Sequence, residues 1–153
     1  MTRSVGWGRR LALFVVAVLL AAAWGSVVQT QFNLQALVAL EVDVPMQVRT
    51  TTTLQDLAGF GPLYAGIVLA GWLPAFLVAA LPVRMWPQWR VPLYAVAAGV
   101  GVIAAIRTVD AFAPMPVLID ATRGDAGLLA MAAGSVLAGA GFAWWTRPRR
   151  RRF

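Results

Sequence analysis

Residues Gln29–Gly61 read QTQFNLQALVALEVDVPMQVRTTTTLQDLAGFG, a polar connection between two apolar runs. Its amides, threonines and charges interrupt what would otherwise be one long apolar half-chain, so the chain must cross a bilayer once before it and once after it. Within it, Gln29 and Asn33, and Gln31 and Gln35, stand at i,i+4 on neighbouring strips of a helix that continues outward from the first apolar run. Then Val42, Val44, Met46 and Val48 alternate with mostly polar neighbours. That period of two predicts a short half-buried strand, confined by Pro45 to an edge or a bulge. Thr50–Thr53 read as turn and cap material. Thr53-x-x-Asp56 and Thr52-x-x-Gln55 both resemble capping boxes for the next helix.

Outward from this stretch the chain is mostly membrane. The 153 residues are 60% hydrophobic and 12% charged, with a mean hydropathy of +0.73; soluble domains carry about a quarter charged residues. The run Leu11–Val28 gives about 27 Å of helix, close to the ~30 Å hydrocarbon core. A signal peptide is the alternative for this segment: Arg3, Arg9 and Arg10 make a basic leader, Leu11–Leu20 an apolar centre and Ala21-Ala22-Ala23 a cleavage site. The Arg9-Arg10 pair also echoes a twin-arginine signal. Because the apolar run continues past the alanines to Val28, an uncleaved helix is favoured. The expected helices span about 11–33, 54–81, 92–110 and 126–145 of a single domain, 1–153, with outer loops at about 34–53 and 111–125. Pro74, beside Trp72, is expected to kink the second helix.

The charges sort by connection. Arg3, Arg9, Arg10, Arg84, Arg90, Arg147, Arg149, Arg150, Arg151 and Arg152 lie at the two termini and in the middle connection. All six acids, Glu41, Asp43, Asp56, Asp110, Asp120 and Asp125, fall in or beside the other two connections, with Arg49, Arg107 and Arg123. Ten positive charges on one side, and six negative against three positive on the other, reproduce the net +7. The positive-inside rule then places both termini in the cytoplasm. The expected fold class is an all-α integral membrane protein, a four-helix transmembrane bundle.

A shift of 69 residues aligns Val44-Pro45-Met46-Gln47-Val48 on Ala113-Pro114-Met115-Pro116-Val117, Glu41 on Asp110, Thr53 on Thr122 and Asp56 on Asp125. A common origin would make two parallel helix–loop–helix repeats. Their outer segments would pair as a small extracytoplasmic β-ribbon. Small residues at Ala97-x-x-x-Gly101-x-x-x-Ala105, Ala130-x-x-x-Gly134-x-x-x-Ala138 and Ser135-x-x-x-Gly139 allow close helix approach in the second half.

Composition also removes chemistry. The 13 basic residues are all Arg, with no Lys, His or Cys. Thiolate and imidazole metal sites, haem ligation, lysine Schiff bases and activated serines are therefore absent, and no metal or cofactor is expected. An aspartyl dyad of Asp56 and Asp125 is the remaining hydrolytic option, and both residues read more simply as first-turn acids at helix N-termini. The middles of the four runs lack the ionisable groups of a transport pathway. The Ala, Gly, Val and Arg bias points to a GC-rich, bacterial coding sequence.

The expected function is that of a small non-enzymatic inner-membrane protein: an accessory or assembly subunit, or a binder of lipid or another apolar ligand. Its recognition surface would be Gln31, Asn33, Gln35, Glu41, Asp56, Arg107, Asp110 and Asp125, on the periplasmic side. The alternative is a small transporter or lipid-translocating protein acting as an oligomer. Expected partners are membrane lipids, another membrane protein or a second copy, and not nucleic acid. The tail Arg147, Arg149, Arg150, Arg151 and Arg152 would attract anionic lipid headgroups, at about 1 kcal/mol per residue near the surface. Arg107 and Asp110, at i,i+3, are expected to pair.

Overall fold

The computed structural model describes residues 6–112 and 119–147. Four helices account for nearly all of them: α1 (Trp7–Ala39), α2 (Met46–Met85), α3 (Arg90–Phe112) and α4 (Asp125–Trp145). All four are long and apolar enough to cross a membrane, which makes this a multi-pass membrane protein. Each helix packs on its two neighbours in a closed ring, α1 on α2, α2 on α3, α3 on α4 and α4 on α1. The order is up-down-up-down. One end of the bundle thus gathers the start of α1, the α2–α3 connection and the end of α4. The other end gathers the α1–α2 and α3–α4 connections.

Where residues 42–48 were expected to form a strand, the chain turns and re-enters a helix; no strand occurs among the described residues. The reason is local. At the end of α1 the Val42 N–H donates to the Leu37 carbonyl at 3.1 Å and the Glu41 N–H to the Val38 carbonyl at 3.0 Å. This is the Schellman pattern, with Glu41 in the left-handed position (φ 62°) where glycine is the easier residue. Pro45, at φ −58°, then leads into α2 with a dihedral already suited to a helix. Alternating valines on either side of a proline are too few to outweigh these bonds.

The threonines expected to cap α2 lie inside it. Thr50 Oγ1 lies within hydrogen-bond reach of the Met46 and Gln47 carbonyls, and Thr53 Oγ1 donates to the Arg49 carbonyl at 2.7 Å, back-bonding that a helix interior tolerates. Helix α2 therefore starts eight residues before the expected 54. It continues through Pro62, Pro74 and Pro82 as one helix. The second segment of the supposed ribbon, Ala113–Val117, lies outside the described residues. On the 69-residue register Asp56, well inside α2, meets Asp125, the first residue of α4.

With lipid outside, helix association depends on close packing and on bonds between helices. Gly71 of α2 and Gly101 of α3 lie backbone to backbone, so a Cβ on either would strike the other's carbonyl. Gly134 of α4 receives the Trp24 ring of α1, whose Nε1 donates to the Ala130 carbonyl at 2.8 Å. Gly25 of α1 lies under the ring of Tyr64. The core has two halves. Toward the start of α1 it is aromatic: Phe14, Trp72, Phe76, Tyr94 and Phe142 interlock at centroid distances of 4.9–6.2 Å, and buried Trp72 donates to the Ala98 carbonyl at 3.1 Å. Beyond it the interior holds the fully buried hydroxyls of Ser26, Tyr64 and Ser135.

Candidate functional site

Among the described residues, the acidic end of the bundle holds most of the inter-helix polar bonds, in two groups. The first lies between α1 and α2. Thr30, fully buried, places its Oγ1 2.7 Å from Asp56 Oδ2 and 2.9 Å from the Ser26 carbonyl. One hydroxyl proton serves one of these acceptors at a time. A turn further out, Arg49 Nη1 donates to Gln31 Oε1 at 3.3 Å and Gln31 Nε2 donates to Thr53 Oγ1 at 3.2 Å. Thr53 in turn bonds the Arg49 carbonyl, so the guanidinium, the amide and the hydroxyl orient one another. Met46 and Leu54 flank them in an open cleft of about 660 Å³.

The second group lies between α3 and α4. Arg107 Nη2 reaches Asp125 Oδ1 at 3.5 Å, with the two side chains 55% and 90% exposed. The expected Arg107–Asp110 pair is not formed. Asp110 instead faces Thr122, whose Oγ1 lies 3.4 Å from Asp110 Oδ2 and 2.7 Å from the Ile119 carbonyl. Asp125 opens α4, where a carboxylate complements the helix N-terminus.

Gln29 connects the two groups. Its side chain is buried, and Oε1 accepts the Ala121 N–H at 2.9 Å. This fastens the short 3₁₀ turn Asp120–Arg123 to α1 and satisfies a buried backbone donor that has no helix to bond within.

Of the residues expected from sequence, Gln31 and Asp56 join the first group and Arg107, Asp110 and Asp125 the second. Asn33 is partly buried with its Oδ1 unpartnered among the described residues, while Gln35 and Glu41 are exposed at the end of α1 and in the turn after it. Asp56 and Asp125 bond different partners, Thr30 and Arg107. Gln29, Thr30, Arg49, Thr53 and Thr122 were not singled out for these roles. Gln29 and Arg49 each carried a signal: an amide directly after an apolar run, and a single Arg in an otherwise acidic connection. The threonines carried none, since their bonds depend on which helices meet.

At the opposite end, Arg147 is exposed, its guanidinium carbon 4.5 Å from the Trp144 ring centroid. Arg149, Arg150, Arg151 and Arg152 lie outside the described residues. Between the ends, on the outer face of α2 and α3, an apolar groove of about 870 Å³ runs from Leu63 and Val109 to Pro82 and Leu93. No group of His, Cys, Asp or Glu among the described residues has the arrangement of a metal site. No protein-family model, curated protein or solved structure matches the chain.

Proposed function

We propose that this protein is a non-enzymatic accessory or assembly subunit of a bacterial cytoplasmic membrane, with both termini inside and its recognition surface on the extracytoplasmic face. The observation that carries this reading is the reach of the first hairpin. The apolar run of α1 ends at Val28 and the helix continues to Ala39, about 16 Å further at 1.5 Å per residue. Helix α2 returns over a comparable length before its own apolar run begins. The tip exposes Leu40 (75%) and Met46 (74%) to solvent, above the ordered Gln31–Arg49–Thr53 group. Exposed apolar side chains beside fixed polar ones suit a protein partner better than water. The sorting of arginines and carboxylates to opposite ends supports the orientation.

Purification of the full chain in mild detergent, followed by mass spectrometry, tests the reading. The expected result is a reproducible protein partner that is lost with Met46→Asp and Arg49→Gln. Recovery of the chain with no partner, or with the same partner in both variants, contradicts it.

A second reading, a small lipid-translocating protein acting as an oligomer, is favoured by the α2–α3 groove. Its lining is almost wholly apolar and its length approaches the thickness of the hydrocarbon core. In the same experiment this reading predicts co-purified lipid without a protein partner.

A further inference from the structure

The arginine end of the bundle gathers charge from three helices. Arg10 lies in the first turn of α1, Arg90 begins α3, and Arg147 follows α4. Arg10 and Arg147 both lie close enough to Arg90 to repel its charge. None of the chain's six acids falls at positions 6–10, 82–92 or 144–147, the described segments at this end. A guanidinium does not relieve such repulsion by losing its proton.

Arg90 is held in place. Its Nε donates to the Ala143 carbonyl at 3.3 Å, its Nη2 to Thr146 Oγ1 at 2.8 Å, and its guanidinium carbon lies 4.9 Å from the Tyr94 ring centroid. Arg10 Nε is buried and has no hydrogen-bond partner among the described residues. Arginine donors gathered from separate helices, with no carboxylate beside them among the described residues, are the arrangement that binds an anion with several acceptor oxygens.

Depth selects which anion. Arg10 immediately precedes the apolar run of α1, Arg90 that of α3, and Arg147 follows that of α4 by one residue. Exposed Trp7, Trp86, Trp89, Trp144 and Trp145 ring the same end, as tryptophans do at a headgroup layer. We propose that Arg10, Arg90 and Arg147 form a phosphate site, which takes the phosphate of an anionic lipid headgroup or a free phosphate ion. The site is separate from the acidic end and does not depend on the function assigned to it. It differs from diffuse attraction to the arginine tail because two of its three members come from α1 and α3.

The test uses the delipidated full chain in nonionic detergent, titrated with dioctanoyl phosphatidylglycerol, with dioctanoylglycerol as the phosphate-free counterpart, and with inorganic phosphate. Saturable binding of the phosphatidylglycerol or of inorganic phosphate, but not of dioctanoylglycerol, is expected. Binding by the lipid alone assigns the site to a headgroup, and equal competition by inorganic phosphate assigns it to a free ion. Arg10→Gln and Arg147→Gln should each weaken binding about tenfold. Arg84→Gln, which removes an exposed arginine at the same end, should leave it unchanged. Arg90→Gln is a poor test because it also removes the bonds to Ala143 and Thr146. If either Gln variant fails to fold, the Lys variant at that position keeps the charge without the fork and should still bind more weakly than wild type. No saturable binding by the wild-type chain, or equal binding by the folded Arg10 and Arg147 variants, overturns the proposal.

Discussion

The α1–α2 pair and the α3–α4 pair are both apolar hairpins, and they end differently. Helices α1 and α2 extend about 50 and 60 Å, against about 31 Å for α4. The first pair closes through a short turn at residues 40–45, with helix on either side well past the apolar runs. In the second pair α4 begins and ends with its apolar run, and it is preceded by a 3₁₀ turn bonded to Gln29 of the other pair. Hydropathy thus locates where a helix crosses a membrane and says little about where it stops. Outside the lipid, helix persistence depends on side chains that satisfy one another between neighbouring helices, as Gln31, Arg49 and Thr53 do.

The largest expected effect comes from breaking the seam that joins the pairs. Gly71→Val places a branched side chain against the Gly101 carbonyl and should cost about 3 kcal/mol or more, enough to remove folded protein from detergent extracts followed by size exclusion. Gly66→Val on the same helix, where a Cβ meets nothing within 4 Å, should leave the elution unchanged.

Next is the polar link between the pairs. Gln29→Leu keeps the volume but strands the buried Ala121 N–H, at about 1–3 kcal/mol. Hydrogen exchange at Ala121 should accelerate while exchange in α2 stays slow. Equal acceleration throughout would mean that the two pairs unfold as one unit.

The turn of the first hairpin offers a change in the other direction. Glu41 occupies a left-handed conformation that costs an L-residue about 1 kcal/mol. Glu41→Gly should therefore raise thermal stability by roughly that amount. A destabilised variant would show that the Glu41 carboxylate makes a bond that outweighs its backbone strain.

The smallest expected effect is at Arg107. Its partner Asp125 is 90% exposed, and exposed pairs of this kind contribute about 0–1 kcal/mol. Arg107→Gln should shift the unfolding midpoint by less than any of the changes above, and added salt should shrink the difference further.

The membrane-spanning parts of the fold were legible in the sequence, because four apolar runs separated by charge leave few other arrangements. The end of α1 and the start of α2 were not. The valines flanking Pro45 imitate a strand, and nothing local announces that Glu41 will take a glycine's conformation. The threonines at 50–53 resemble caps in isolation and become helix interior once Gln31 faces Thr53. At the acidic end, Gln31, Asp56, Arg107, Asp110 and Asp125 are conspicuous in the sequence as charge and amide groups between apolar runs. Their pairings are not, since Arg107 chooses Asp125 across helices over Asp110 on its own. The small-residue spacing around Gly101 anticipated close packing, but its partner Gly71 stands in a different helix and could be identified only in three dimensions.

The chain has no cysteine, so single-cysteine variants report position without background. Asp43→Cys lies in the first hairpin's turn, and Arg84→Cys in the last turn of α2. In intact cells, a membrane-impermeant maleimide should label Cys at 43 readily and Cys at 84 only after permeabilisation. Labelling of 84 but not 43 from outside would reverse the orientation, and equal labelling of both would contradict placement of the two ends on opposite sides of a bilayer.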